Sequence, residues 1–404
     1  MSAIQPLRRQ DRPRATHTAP VFLFAVATGV IVTNLFAPQT LVNIIGSDLG
    51  FPPAWASLVA TASLIGYAAG LIFLVPLADM MENRRLVLRM IVAAVLAGGT
   101  VGLARNGVVL LGLLFLLGAA CSAIQILVPL AASMVPAEQS GRVIGNVMSG
   151  VLVGILVSRP LASIVAGAWG WRSFYAASVC SLSMILIVLA IRLPRRHPAA
   201  AGRYGPLLAS LWHLLRDERV LRARAFTAAM SMASFSLFWT SVALRLAAPP
   251  FKLDQSQIAL FALAGAGGAA ATPFFGRMAD RGWRGIGTTA AHLAQILAAG
   301  LCAWAGVTVT AGPVMPLVAL TAGAVILDIG VTGDQTLGRH SINLIRPEAR
   351  GRLNGLFVGL FFLGGSLGSA LSSPAWAVGG WPLVCALVAL FAFIALVVGR
   401  WTKA

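Results

Sequence analysis

The sequence predicts an all-α membrane protein of twelve transmembrane helices in two six-helix bundles, and three observations carry that expectation. Hydrophobic residues make up 58% of the 404-residue chain and charged residues only 10%, too little polar surface for a domain of this size to face water on all sides. The apolar residues gather into runs of about 20 residues or more, the length that crosses a hydrocarbon core of about 30 Å. The loops between the runs are alternately rich and poor in arginine, as expected of a chain that crosses a bilayer repeatedly.

In order, the runs predict helices 1 to 6 at 20–46, 54–78, 86–104, 108–135, 143–168 and 173–193, and helices 7 to 12 at 223–247, 256–276, 286–310, 314–338, 353–375 and 381–399. Residues 1–19 are basic and polar and read as a cytoplasmic tail. The apolar run that follows is too long for a signal-peptide core and is read as helix 1. The organisation is then a first bundle over 20–193, a linker over 194–222 and a second bundle over 223–404. The linker carries Pro194, Pro198, Gly202, Gly205 and Pro206. Within it, Leu207, Leu208, Leu211, Leu214 and Leu215 recur at helical spacing with Trp212 between them, and Arg203, Arg216, Arg219 and Arg222 flank them. That pattern predicts a short amphipathic helix on the inner leaflet.

The formal net charge is +18, and its distribution says more than its size. Of the 30 basic residues, 25 fall on the side of the odd-numbered helix starts; Arg105, Arg172, Arg245 and Lys252 fall opposite, and Arg159 lies inside helix 5. The positive-inside rule then puts both termini in the cytoplasm. A basic face beside anionic headgroups accounts for the charge without nucleic acid as a partner. Cys121, Cys180, Cys302 and Cys385 all lie inside predicted helices with no CxxC spacing, so neither a disulfide framework nor a zinc site is expected. The chain has five histidines and no HExxH, so no metal or nucleophile constellation of an enzyme is expected.

The second half repeats the first. At an offset of 210, Glu138, Gly141, Arg142, Gly145 and Gly154 align with Glu348, Gly351, Arg352, Gly355 and Gly364, and the match runs on to Gly170/Gly380 and Trp171/Trp381. At an offset of 201, Gly66, Ala68, Ala78 and Asp79 align with Gly267, Ala269, Ala279 and Asp280. Both pairings are six helices apart, which describes two units in the same membrane orientation related by a pseudo-two-fold axis along the membrane normal.

The loop after helix 2 reads Pro76-Leu77-Ala78-Asp79-Met80-Met81-Glu82-Asn83-Arg84-Arg85, and that after helix 8 reads Gly276-Arg277-Met278-Ala279-Asp280-Arg281-Gly282-Trp283-Arg284. Both resemble the duplicated cytoplasmic signature G-x-L-A-D-R-x-G-R-R of the major facilitator superfamily. The first copy lacks both glycines and has Met80 where arginine is usual. An aspartate at a helix end can accept charge-assisted hydrogen bonds from arginines, so Asp79 with Arg84 or Arg85, and Asp280 with Arg281 or Arg284, beside Gly276, are expected to act as gating latches. Gly145 and Gly154 in helix 5, with Gly364 and Gly368 in helix 11, supply small faces for close helix packing. Helix 5 resembles the family's antiporter motif, with Ser158-Arg159 in place of the Gly-Pro pair and Pro160 one residue later.

Three charged residues, Arg159, Asp328 and Asp334, sit inside predicted helices away from the first and last few positions. Each costs about 2.5–3.5 kcal/mol near a helix centre, which directs it to a cavity or a partner. Asp328 lies close to mid-membrane in helix 10 and is a candidate proton carrier; Arg159 is its candidate partner, or an anchor for an anionic substrate. The resemblance implies that helices 1, 4, 7 and 10 surround a central cavity with helices 5 and 8 at the seam. Candidate wall residues are then Asn34, Gln39, Gln125, Trp239 and Thr240, together with Ser236, while His292 and Gln295 fall on the peripheral helix 9. The function implied is secondary active transport by alternating access: proton-linked efflux of drugs or small metabolites, an antiporter of a bacterial inner membrane, working as a monomer and without a cofactor other than the coupling proton. An importer or facilitator of the same fold, and a non-transporting receptor or scaffold, remain the alternatives.

Overall fold

The computed structural model describes residues 18–195, 203–307, 314–346 and 349–401. The expected tail, 1–19, thus lies almost entirely outside the described residues, as do the middle of the linker and Glu348. The described residues are helical throughout and form twelve spans. Helix 1 is Thr18–Phe36 continued by Pro38–Asp48 at a bend of 43°. Helices 2 to 6 are Pro53–Asp79, Asn83–Leu103, Gly107–Ala132, Ala137–Trp169 and Trp171–Arg192. Helices 7 to 10 are Arg219–Ala247, Gln255–Asp280, Arg284–Val307 and Val314–Ile342. The run Arg350–Trp401 is broken at Gly380, whose φ of +58° only glycine adopts without strain, and so holds helices 11 and 12.

The packing repeats with a shift of six. Helix 1 packs on 5, helix 2 on 4 and helix 3 on 6; helix 7 packs on 11, helix 8 on 10 and helix 9 on 12. Between the two sets, helix 2 meets helix 11 and helix 5 meets helix 8. The glycines of helices 5 and 11 serve the contacts within a set. A Cβ built on Gly154 would lie 2.4 Å from the Gly29 carbonyl oxygen of helix 1, and one on Gly364 or Gly368 would lie 2.0 Å from the Ala229 or Ala233 oxygen of helix 7. These faces fix helix pairs inside each bundle. Gly145, expected among them, is exposed with open space around it, because nine residues from Gly154 it lies on about the opposite side of helix 5.

The linker helix Tyr204–Asp217 also differs from expectation. Leu211 and Leu214 are buried against the bundle ends while Trp212 is 64% exposed, so its leucine face covers protein rather than the inner leaflet. Tyr204 donates its hydroxyl proton to the Phe73 carbonyl oxygen of helix 2 (2.7 Å), and Ser210 accepts from Arg352 of helix 11 (3.0 Å). The open ends of the two bundles offer an apolar surface that competes with lipid for those leucines.

Candidate functional site at the seam between the bundles

Proline and short helical irregularities bring the central side chains together. Pro38 has no N–H to donate into helix 1, so the chain bends after Phe36 and Gln39 turns inward. Helix 8 tightens to a 3₁₀ turn over Leu263–Gly265, which sets Gly265 against the site. Arg159 of helix 5 donates from Nε and Nη2 to Gln39 Oε1, at 3.2 and 3.1 Å. Its guanidinium stands over the rings of Trp239 (4.3 Å), Phe235 (5.1 Å) and Phe36 (5.5 Å). On the other side of Trp239, its indole N–H donates to Asp328 Oδ1 at 2.9 Å. A Cβ on Gly265 would meet Asp328 Oδ2 at 3.1 Å, Arg159 Nη1 at 3.5 Å and Trp239 Cζ2 at 3.6 Å. The missing side chain is what lets helix 8 close over the two charges.

Arg159, Gln39, Trp239 and Asp328 are each no more than 4% exposed. Among the described residues no ion pair within 4.0 Å joins Arg159 to Asp328. The opposite charges instead face each other across Trp239 and Gly265, one from each set of six helices. A desolvated cation over an aromatic face gains about 2 kcal/mol. Three rings around one guanidinium therefore offset much of the cost of burying it, without a salt bridge that motion of the bundles would have to break.

Below this layer, towards the arginine-rich end, the rings form a continuous series. Phe36 contacts Phe235 and Phe362, and Phe362 contacts Tyr67 edge-on with centroids 4.6 Å apart. Tyr67 accepts from Gln125 Nε2 at 3.3 Å. Beyond them lies a cavity of about 560 Å³, whose wall includes Leu71, Asp79, Gln125, Pro129, Arg352 and Leu356, a volume in the range of sites for drug-sized ligands. The opposite ends of the bundles are tied together. The Ser57 N–H donates to Ser373 Oγ (3.0 Å), Ser57 Oγ donates to the Ala370 oxygen (3.3 Å), and Gly167 stands against Gln255.

Not every expected residue joins the site. Asn34 accepts from Ser178 of helix 6 at 2.6 Å, so it bridges helices within the first bundle and does not line the cavity. Thr240 is buried with its hydroxyl unpartnered, as is Ser236. Gln125 reaches the cavity and not the charged layer. Neither expected latch is formed: among the described residues Asp79 and Asp280 are in no ion pair within 4.0 Å. Arg84 donates instead to the Ala190 oxygen of helix 6 (2.5 Å), Arg85 pairs with Glu82 (2.8 Å), Arg281 stands over Trp283, and Gly276 has open space around it. Asp79 lines the cavity, and Arg84 and Arg85 are taken up by other acceptors. Phe36, Phe235, Phe362, Tyr67 and Gly265 were not foreseen; aromatic and glycine residues in an apolar run carry no mark that separates them from packing. Asp334, His292, Gln295 and Ser231 gather elsewhere, inside the second bundle.

The family model for the Major Facilitator Superfamily matches residues 22–342. The chain belongs to the major facilitator superfamily. It is 37% identical over 386 residues to the putative uncharacterized transporter YgaY of Escherichia coli (strain K12), covering 94% of each protein. It is 30% identical over 272 residues to the chloramphenicol resistance protein of Streptomyces lividans, covering 65% of this chain and 67% of that one. Among solved structures, a point mutant of the nucleoside transporter NupG superimposes with a TM-score of 0.71 at 14% identity, covering 95% of this chain and 99% of that one. This superfamily member is thus a multi-pass membrane transporter, set in a lipid bilayer and acting on a small molecule.

Proposed function

We propose that this transporter exports a neutral or amphipathic small molecule from the cytoplasm in exchange for protons, with Asp328 as the proton carrier. The observation that carries the reading is the placement of that carboxylate: buried midway along helix 10, held by one indole N–H, and facing an arginine of the other bundle that it does not touch. A buried acid of this kind is costly in lipid and marks an ion or substrate pathway. Protonation removes its charge and its attraction to Arg159 together, which weakens the seam and favours the alternate state; deprotonation restores it.

The arginine-rich end is read as cytoplasmic, so both termini lie inside a bacterial inner membrane and the 560 Å³ cavity opens inward. Substrate would enter there, past Gln125, and meet the charged layer when the Tyr67–Phe362 contact opens. The latches of Asp79 and Asp280 would form when this end closes. One net charge moved per cycle at 100 mV supplies about 2.3 kcal/mol, enough for about a fifty-fold gradient. A largely aliphatic cavity wall suits solutes with few charges, and the likeness to a chloramphenicol resistance protein is in keeping with a drug-like substrate. The protein is read as functional in monomeric form.

The test is reconstitution into proteoliposomes under an imposed pH gradient, with neutral and amphipathic compounds screened for accumulation and counterflow. Asp328→Asn is expected to abolish gradient-driven accumulation while exchange without a gradient persists. Unchanged pH-driven accumulation in Asp328→Asn would remove the residue from the mechanism.

A further inference from the structure

The second buried cluster lies between helices 7, 9 and 10, apart from the seam. His292, Gln295, Asp334 and Ser231 are each no more than 1% exposed. Ser231 Oγ donates to Asp334 Oδ2 at 2.8 Å and accepts from Gln295 Nε2 at 3.1 Å. His292 Nε2 stands 3.1 Å from Asp334 Oδ1, within ion-pair reach yet off the line of a hydrogen bond, so both atoms lack a hydrogen-bond partner, as do His292 Nδ1 and Gln295 Oε1. A purely structural network at this depth completes its bonds, because each open polar atom is costly where no water competes. This one leaves the reactive edges of an acid and a base facing each other.

We propose that His292 and Asp334 form a proton-binding site of the second bundle, separate from Asp328, whose occupancy sets how tightly helices 7, 9 and 10 pack. With one proton the pair is an imidazolium beside a carboxylate and carries no net charge. Releasing that proton leaves an aspartate that Ser231 still holds but that has lost its counter-charge. The surroundings fit a site that exchanges one proton. Helix 7 contributes Arg224, whose guanidinium donates to Thr288 Oγ1 (3.3 Å) on the arginine-rich side of the cluster. Helix 9 contributes Arg284 at its start, on the same side. Helix 12 approaches the ring with Gly399, where a Cβ would lie 3.3 Å from Cε1, and its Arg400 is exposed. On helix 10, Asp328 bonds Trp239 in the other cluster and Arg339 lies nearer the arginine-rich end.

The experiment is ¹⁵N-histidine NMR on the full chain in lipid nanodiscs between pH 5 and 9, with the His292 resonances identified by their loss in His292→Gln. The expected result is a proton-dependent change at both ring nitrogens. The titration curve should change in Asp334→Asn, with loss of protonated imidazole at a given pH, and change measurably in Ser231→Ala, the milder variant should Asp334→Asn not fold. Asp328→Asn should leave the His292 titration where it was. His292 resonances that stay constant across the range, or that titrate identically without the Asp334 carboxylate or the Ser231 hydroxyl, would overturn the proposal. No step of this test reads transport, so it can fail or succeed independently of the export reading.

Discussion

Replacing Gly364 by alanine should destabilise the protein far more than one methyl group ordinarily does. The added carbon would fall 2.0 Å from the Ala229 carbonyl oxygen and close to its carbon and Cα as well, whereas real Cβ atoms essentially never approach closer than 3.0 Å. Helices 7 and 11 would have to separate by about 1 Å or more, because the obstacle is backbone and cannot rotate away. Overpacking costs about 1–3 kcal/mol, and a backbone obstacle puts this case in the upper half, about 2–3 kcal/mol, or roughly 30- to 150-fold in the unfolding equilibrium. Gly355 on the same helix has nothing within 4 Å, and its replacement by alanine removes a glycine helix penalty of up to about 1 kcal/mol. Reversible unfolding in mixed micelles, followed by circular dichroism, measures both. Gly364→Ala and Gly355→Ala with equal stability would refute the reasoning, since it assigns the whole difference to one interhelical contact.

Gly154→Ala, with its obstacle at 2.4 Å from the Gly29 oxygen, should repeat the effect in the first bundle, and Gly145→Ala should show none, in the same unfolding assay. Phe362→Ala removes the ring between the cavity and the charged layer; water should then reach Asp328, and substrate-free proteoliposomes should leak protons faster under a pH dye, an unchanged leak arguing that other rings keep the seal. Asp254 caps helix 8 at its arginine-poor end, and hydrogen bonds from the Ser256 hydroxyl and the Gln257 N–H hold its carboxyl below the usual value. A depressed carboxylate stabilises above its unfolded pKa of about 4 and loses that contribution as pH falls through the folded value. Amide exchange over Gln255–Ala262, corrected for intrinsic rates, should therefore quicken below about pH 4 and not between 5 and 8. Glu218→Ala should change stability by about 1 kcal/mol, because its half-buried carboxylate pairs at 2.7 Å with an Arg346 guanidinium that is itself exposed and screened.

The spans were legible because each is a long run bounded by arginines or glycines, and the observed ends fall within a few residues of the expected ones. Helix 5 differs most: it begins at Ala137, where the sequence suggests residue 143, since Glu138, Gln139 and Arg142 read as loop but continue the helix past the membrane edge. At the site the ionisable residues stood out, being rare in lipid-facing runs. What was not legible was which side of a helix each presents. Asn34 and Gln39 lie five residues apart in one helix, yet the bend at Pro38 sends Gln39 to Arg159 and leaves Asn34 on Ser178. His292 belongs to the peripheral helix 9, but a peripheral helix still has an inner face, and there it meets Asp334.

The irregular turns of this fold cluster where the bundles would have to move. The bend after Phe36, the π turn at Gly70–Leu74 with the 3₁₀ turn at Val75–Asp79, and the 3₁₀ turn at Leu263–Gly265 flank either the charged layer or the cavity below it. The glycine-packed pairs 1 with 5 and 7 with 11, in contrast, are continuous where they cross and leave no space for sliding. A rigid pair cannot open a pathway by itself, and a flexible turn cannot carry a bundle. For the transport cycle proposed above, this division assigns rocking to the glycine-locked pairs as units, and local opening to the ends of helices 2 and 8, whose aspartates Asp79 and Asp280 are in no ion pair among the described residues. If that division holds, cross-linking helix 7 to helix 11 leaves transport intact, while cross-linking Leu71 on helix 2 to Leu356 on helix 11 across the cavity, through paired cysteines, stops it.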